Sequence, residues 1–225
     1  EVDPSHDATL NLLTEILVAE NRFSEAADLL DQRISYSQNP TLSKSMLLTL
    51  GSWCTQELKD IERAMDAYEK AVQIDKEDVA ILEALEDVYT KLGQWDKLLK
   101  LLYARAKSAS DDQVRFGFLT KGATICENNL ADKKKAWTWY VEILDKLGHL
   151  EEAVSQVEQA ARRMELWKEL IDLAGLMTKK STVPAVQVEW WLKAADILEN
   201  NLNNPAQALE AVLRAFGLEP DNETL

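Results

Sequence analysis

Histidine is nearly missing from this chain. His6 and His149 are the only two, and neither has a second His or Cys three or four residues away. Zinc motifs put two ligands on one helix face at that spacing, so no metal is expected. Two histidines also leave little from which to build a Ser/His/Asp set, and the sequence has neither a Gly-rich phosphate loop nor a nucleophile elbow. Its 39 carboxylates produce many close pairs by number alone; acid-base catalysis needs a cleft that perturbs them, and none is indicated. No enzymatic activity and no cofactor are expected.

Glycine and proline are also scarce, at seven and five of 225 residues. A sandwich or barrel would need a turn signal every 8 to 12 residues, so an all-β fold is excluded. Cys54 and Cys126, the only cysteines, are too few for a disulfide framework and favour a reducing, cytoplasmic compartment. No apolar run approaches the roughly 18 to 20 residues that span a bilayer, and Glu1-Val2-Asp3-Pro4 is not the basic-then-apolar start of an export signal. Direct membrane insertion is therefore not expected. Positive charge is in deficit as well. A net charge of −14 opposes binding to polyphosphate chains, and nucleic acid is not an expected partner. The acidity lies at the ends: residues 1–76 carry 7 basic and 14 acidic side chains, residues 77–148 carry 11 and 12, and residues 149–225 carry 7 and 13.

What is abundant is Ala, Leu, Glu and Lys, with apolar residues three and four positions apart. This is the helical period. Slid over itself by 72 residues, the chain matches without a gap. Leu10, Leu82 and Val154 coincide, as do Phe23, Trp95 and Trp167, then Leu58, Leu130 and Leu202, then Tyr68, Tyr140 and Val212. Small residues recur at Gly51, Ala123 and Ala195, where closely crossing helices require them. The units are 5–76, 77–148 and 149–220, within one repeat domain spanning 1–225. Each unit holds two helix pairs, because the opening of the second helix recurs at Ala26, Ala64, Leu98, Ala136, Leu170 and Ala208, in steps of 38 and 34. Turns are marked by Glu20-Asn21, Leu92-Gly93, Asn129 through Asp132 and Asn201 through Pro205.

These features resemble the tetratricopeptide repeat family over essentially the whole chain. Ala208, Val212, Ala215 and Pro220 match its Ala, aromatic, Ala, Pro spacing, and Ala64, Tyr68 and Ala71 match with Lys76 replacing the proline. First helices contribute Leu47, Leu50, Gly51 and Cys54. The alternation of Gly93-Gln94-Trp95 with Leu58 through Ala64 is similar to large bacterial members with a 72-residue double repeat. Departures are Glu165, in place of a turn glycine, and Leu98 and Leu170, in place of a small alanine. The resemblance implies an all-α, right-handed superhelical solenoid of six helix-turn-helix repeats. It also implies a groove lined by first helices, faced by Asn11, Glu15, Glu83, Asp87, Thr120, Thr124, Gln156, Gln159, Lys193 and Asp196. The Lys-x-x-x-Asn and Lys-x-x-x-Arg pairs with which some members clamp a C-terminal carboxylate are lacking.

Three readings of function follow. The first is a protein interaction scaffold holding a partner peptide or helix. The second is a spacer or self-assembling part of a larger complex, and the third a non-catalytic regulatory arm of an enzyme elsewhere on the polypeptide. Cys54 and Cys126 occupy one phase of successive units, so at helix spacings of about 8 to 10 Å they read as core fillers roughly 20 Å apart, not as a disulfide. Lys133-Lys134-Lys135 reads as a solvated face, or else as a contact for an acidic protein. Trp139 stands where the other units carry Ala67 and Ala211; it is either a packing residue or a binding hot spot. The phase at the two ends reads as that of an internal piece of a longer array. On that reading Leu10, Leu13 and Leu17 in front, and Val212, Ala215 and Phe216 behind, face missing neighbours.

Overall fold

The computed structural model describes residues 7–220. Their elements are α1 (Asp7–Ala19), α2 (Phe23–Tyr36), α3 (Pro40–Trp53), which runs on into a π-turn at Cys54–Leu58, α4 (Ile61–Ile74), α5 (Val79–Lys91), α6 (Trp95–Ser108), α7 (Asp112–Asn128), α8 (Lys133–Leu147), α9 (Glu151–Met164), α10 (Trp167–Lys180), α11 (Pro184–Asn200) and α12 (Pro205–Leu218). The protein is all-α, a helical-repeat fold. Every helix start recurs 72 residues on, and second helices begin in alternating steps of 38 and 34. Each begins three residues before its Ala or Leu anchor, because the cap and first turn precede the first buried position.

The chain divides into two compact units, residues 1–109 and 110–225. In the first, α1 to α6 form three hairpins in which each helix packs on the next; α7 to α12 repeat that pattern in the second. The first core is built from Leu30, Leu47, Leu50, Tyr68, Ile81 and Leu85, and the second from Leu119, Tyr140, Ile143, Leu147, Val157 and Leu170. Cys54 and Cys126 are wholly buried free thiols, one in each unit. Burial pushes the Cys54 thiol up to about 11.

Two kinds of hairpin alternate. In the short kind the turn residue is left-handed, at Asn21, Gly93 and Glu165 (φ 57°, 64° and 60°), and an aromatic residue opens the second helix. The N–H of the following residue closes on the first helix: Arg22 to Leu17, Gln94 to Tyr89 and Leu166 to Ala161, at 2.8 to 2.9 Å. In the long kind the left-handed residue is Lys59, Ala131 or Asn203. A side-chain cap then starts the second helix, with Asp60 accepting from the Arg63 N–H, Asp132 from that of Lys135, and Asn204 from that of Gln207. Glu165 thus keeps the turn geometry of its glycine counterpart. Ala131, at φ 51°, has no polar side chain to offset the left-handed strain, which costs an L-residue about 1–2 kcal/mol. Ala131→Gly is therefore expected to stabilise the protein by about 1 kcal/mol, and to raise the thermal midpoint by about 2–4 °C in a melting experiment.

Small residues set the approach of the long pairs. A Cβ on Gly51 would come within 2.5 Å of the Tyr68 ring, so α3 and α4 cross where only hydrogen fits. In α5/α6 and α9/α10, Leu98 and Leu170 are buried at the position of the small alanine, and those helices stay close over less of their length.

The expected outward stripes are corrected. Leu10, Leu17 and Ala215 are buried, and Val212 packs against the α11/α12 core. The exposed apolar residues are Leu12 and Ile16 on α1, and Leu209, Leu213 and Phe216 on α12. Leu10 and Leu17 lie two turns apart on the side that meets α2, whereas Leu12 is rotated about 200° from Leu10. Pro4, His6 and Asp221 through Leu225 lie outside the described residues.

Candidate partner-binding face

The ten side chains read as groove-facing all stand on first helices: Asn11 and Glu15 on α1, Glu83 and Asp87 on α5, Thr120 and Thr124 on α7, Gln156 and Gln159 on α9, and Lys193 and Asp196 on α11. Within each pair the spacing of three or four residues puts both on one helix side. Asn11, Glu15, Glu83, Asp87, Thr124, Gln159 and Asp196 are exposed, and the other three half-buried.

In the second unit this face is cross-linked. Thr120 Oγ1 donates to Gln156 Oε1 at 3.3 Å, joining α7 to α9. Lys193 Nζ reaches Glu158 at 2.8 Å and Glu189 at 2.9 Å, joining α9 to α11, and lies 4.4 Å from the Trp190 ring centroid. Burial lowers the Lys193 affinity for its proton, but the hydrogen bonds to Glu158 and Glu189 prevail and the net shift is upward. Lys193 is thus held as a cation within the lattice of the fold. In the first unit the same face is acidic: Glu15 and Glu83 are exposed, and Asp87 pairs only with the solvated Lys91 of its own helix, at 2.7 Å.

Trp139 departs from the other site residues. It stands on α8, half-buried, with its ring against Gly122 of α7, where an added Cβ would meet it at 2.3 Å. Gly122 occupies the phase of Leu50 and Ala194, as Trp139 occupies that of Ala67 and Ala211. The large ring is accommodated by loss of the opposing side chain, and the pair is a packing contact.

Behind the face lies a second network. Tyr140 OH donates to Glu127 at 3.1 Å, and Arg163 closes on the same carboxylate at 2.6 and 2.8 Å, so α7, α8 and α9 share one carboxyl group. The Arg163 guanidinium holds Glu127 below its ordinary range against the opposing effect of burial, and burial with the nearby carboxylate pushes the Tyr140 hydroxyl up to about 12. A carboxylate with a lowered folded pKa contributes stability that is complete above its unfolded value and is lost as pH falls through the folded one. Glu127→Gln should therefore cost about 1 kcal/mol at neutral pH, and shrink the stability difference from wild type as pH drops below about 4, which urea titrations across pH 2–7 would read.

Lys133 is not merely a solvated lysine: its Nζ donates to the Met164 carbonyl at 2.9 Å and so caps the end of α9. His149 sits 3.0 Å from Asp112, with an exposed ring. Among the described residues no group of three or more His, Cys, Asp or Glu is arranged to hold a metal ion, and no helix is long and apolar enough to cross a membrane.

Two surface grooves were not legible in the sequence. One, of about 450 Å³, runs between α10 and α12 over Ile171, Trp191 and Leu198, with Arg214 4.8 Å from the Trp191 ring centroid. The other, also about 450 Å³, lies between α8 and α10 and is lined by Trp137, Val141, Leu144, Leu173 and Leu176. A signal was present for the first: Trp191 stands at the phase of Leu47 and Leu119.

Two adjacent segments match tetratricopeptide repeat family models, residues 45–78 and residues 81–113. They cover α3 to α6. The chain is a tetratricopeptide repeat protein, and such repeats act in general as non-catalytic scaffolds for protein–protein interaction. Among solved structures it is similar to a tetratricopeptide repeat protein from Parabacteroides merdae, at 16% identity over 93% of this chain and 78% of that one, with a TM-score of 0.45. It is also similar to YrrB, described as a TPR protein with an unusual peptide-binding site (15% identity, 79% and 87% of the chains, TM-score 0.37), and to MamA from Desulfovibrio magneticus (12%, 96% and 96%, 0.37). None of the curated proteins matches the sequence.

Proposed function

We propose that this chain is an interaction scaffold that takes a partner peptide or helix along the face of its first helices, and that in the first unit the partner presents Lys or Arg. The observation that carries this reading is the set of exposed, outward carboxylates of Glu15, Glu83 and Asp87, which no hydrogen bond draws into the fold apart from the exposed Asp87–Lys91 pair. A net charge of −14 extends the attraction beyond the contact itself and raises the association rate of a cationic partner. The cross-linked polar face of the second unit offers Thr124, Gln159 and Asp196 for hydrogen bonds to a peptide backbone.

Affinity capture with the chain as bait tests the class of partner: one or a few proteins are expected, whereas recovery of mostly RNA or DNA would overturn it. With a captured partner, Glu83→Lys/Asp87→Lys is expected to weaken binding about tenfold or more at low salt, with thermal melting unchanged. Unchanged affinity would remove this face from the reading.

A further inference from the structure

The 72-residue phase allows the two outer helices of the described chain to be compared with inner helices that have neighbours. Ile16 on α1 is 46% exposed, yet its counterparts Val88 on α5 and Ala160 on α9 are 1% and 0% exposed. The difference has a visible cause within each unit, since α5 is packed on α4 and α9 on α8. At the other end Phe216 on α12 is 49% exposed, while its counterpart on α8, Leu144, is 5% exposed, on the side of α8 that faces the following hairpin. Leu209, one turn before Leu213 and two before Phe216, is exposed as well, where α8 carries the half-buried Trp137.

The two faces are therefore the two halves of one interface that the chain already makes internally. Apolar residues stand at both, Leu12 and Ile16 on one side and Leu209, Leu213 and Phe216 on the other, where solvated repeat surfaces would carry charge. We propose that α12 of one copy receives α1 of a second copy, head to tail, in the register in which α4 meets α5 and α8 meets α9. The contact is heterologous: using one face leaves the complementary face open on each partner, so association does not stop at a dimer. Both ends are acidic, with 7 basic against 14 acidic side chains in residues 1–76, and 7 against 13 in residues 149–225. Like charges oppose the joining of the ends, and added salt, which screens them, strengthens association.

Sedimentation velocity over about a hundredfold range of concentration, at low and high salt, tests this together with two variants. Leu213→Asp/Phe216→Asp closes the α12 face, and Leu12→Asp/Ile16→Asp closes the α1 face; all four positions are exposed, so circular dichroism and melting should match wild type. The expected result is a wild type whose mean mass rises with concentration and salt, two variants that are each monomeric, and an equimolar mixture of the variants that forms a 1:1 complex and nothing larger. A wild type that stays monomeric throughout overturns the proposal. So does a closed dimer abolished by the α12 substitutions alone, which would mean that α12 pairs with itself. Because neither variant alters Glu83 or Asp87, capture of a cationic partner by the α1-closed and α12-closed chains reports separately on the first-helix face.

Discussion

Trp139→Ala is expected to destabilise the protein by about 2–3 kcal/mol, lowering the thermal midpoint by about 5–10 °C, while leaving affinity for a first-helix partner unchanged. The reason is geometric. The indole fills the volume that the missing side chain of Gly122 leaves open, so its removal uncovers a cavity between α7 and α8 instead of freeing a surface. The converse substitution, Gly122→Leu, drives a side chain into the ring and should cost about 1–3 kcal/mol by overpacking. Combined, the two changes install the Leu and Ala that the first unit carries at Leu50 and Ala67, and the double variant should recover to within about 1 kcal/mol of wild type. Urea unfolding of the four proteins closes the cycle. Additive losses would show that the ring and the glycine are not coupled, and unchanged melting with weaker partner binding would make Trp139 a hot spot after all.

A larger loss, about 3–5 kcal/mol, is expected for Tyr140→Ala. Tyr140 is 1% exposed and is the largest of the fully buried side chains, so truncation leaves a cavity that the neighbouring helices cannot close without moving. Tyr140→Phe keeps the ring and deletes only the hydroxyl that donates to Glu127; because Arg163 still satisfies that carboxylate, the loss should be only about 1 kcal/mol. The contrast separates packing from hydrogen bonding at one residue. Since repeat arrays lose structure locally, amide exchange in the two variants should be fastest in α7 to α9 and change little in α1 to α6. Equal losses for Phe and Ala would place the stabilisation in the hydroxyl and its network, contrary to this account.

Much of the architecture was written in the order of side-chain sizes. A 3.6-residue period fixes which residues can be buried together. Small residues at Gly51, Ala123 and Ala195 fix where two helices can cross, and Asp60, Asp132 and Asn204 fix where second helices begin, since each needs only local chain geometry to cap the N–H three residues on. Such features depend on neighbours in sequence, and a phase of 72 residues displays them three times over. That is why the all-α repeat fold, the helix pairs, the buried thiols and the placing of ten site residues on first helices could be read without coordinates.

Contacts between helices distant in sequence were another matter. That Trp139 lies on Gly122, that Lys133 caps α9, and that Lys193 is held by Glu158 each depend on which rotamer points at which neighbour, and periodicity assigns a residue only to a side of its helix. The outward stripes were misplaced for the same reason. Leu10 and Leu12 are equally apolar, and only the direction from which α2 approaches decides that Leu10 is covered and Leu12 is not. The sequence by itself determined the repeat, its period and its turns, because those follow from local sterics and capping. The tertiary structure alone decided which apolar and charged groups are already engaged within the fold and which remain for a partner, because that depends on the packing of helices against one another.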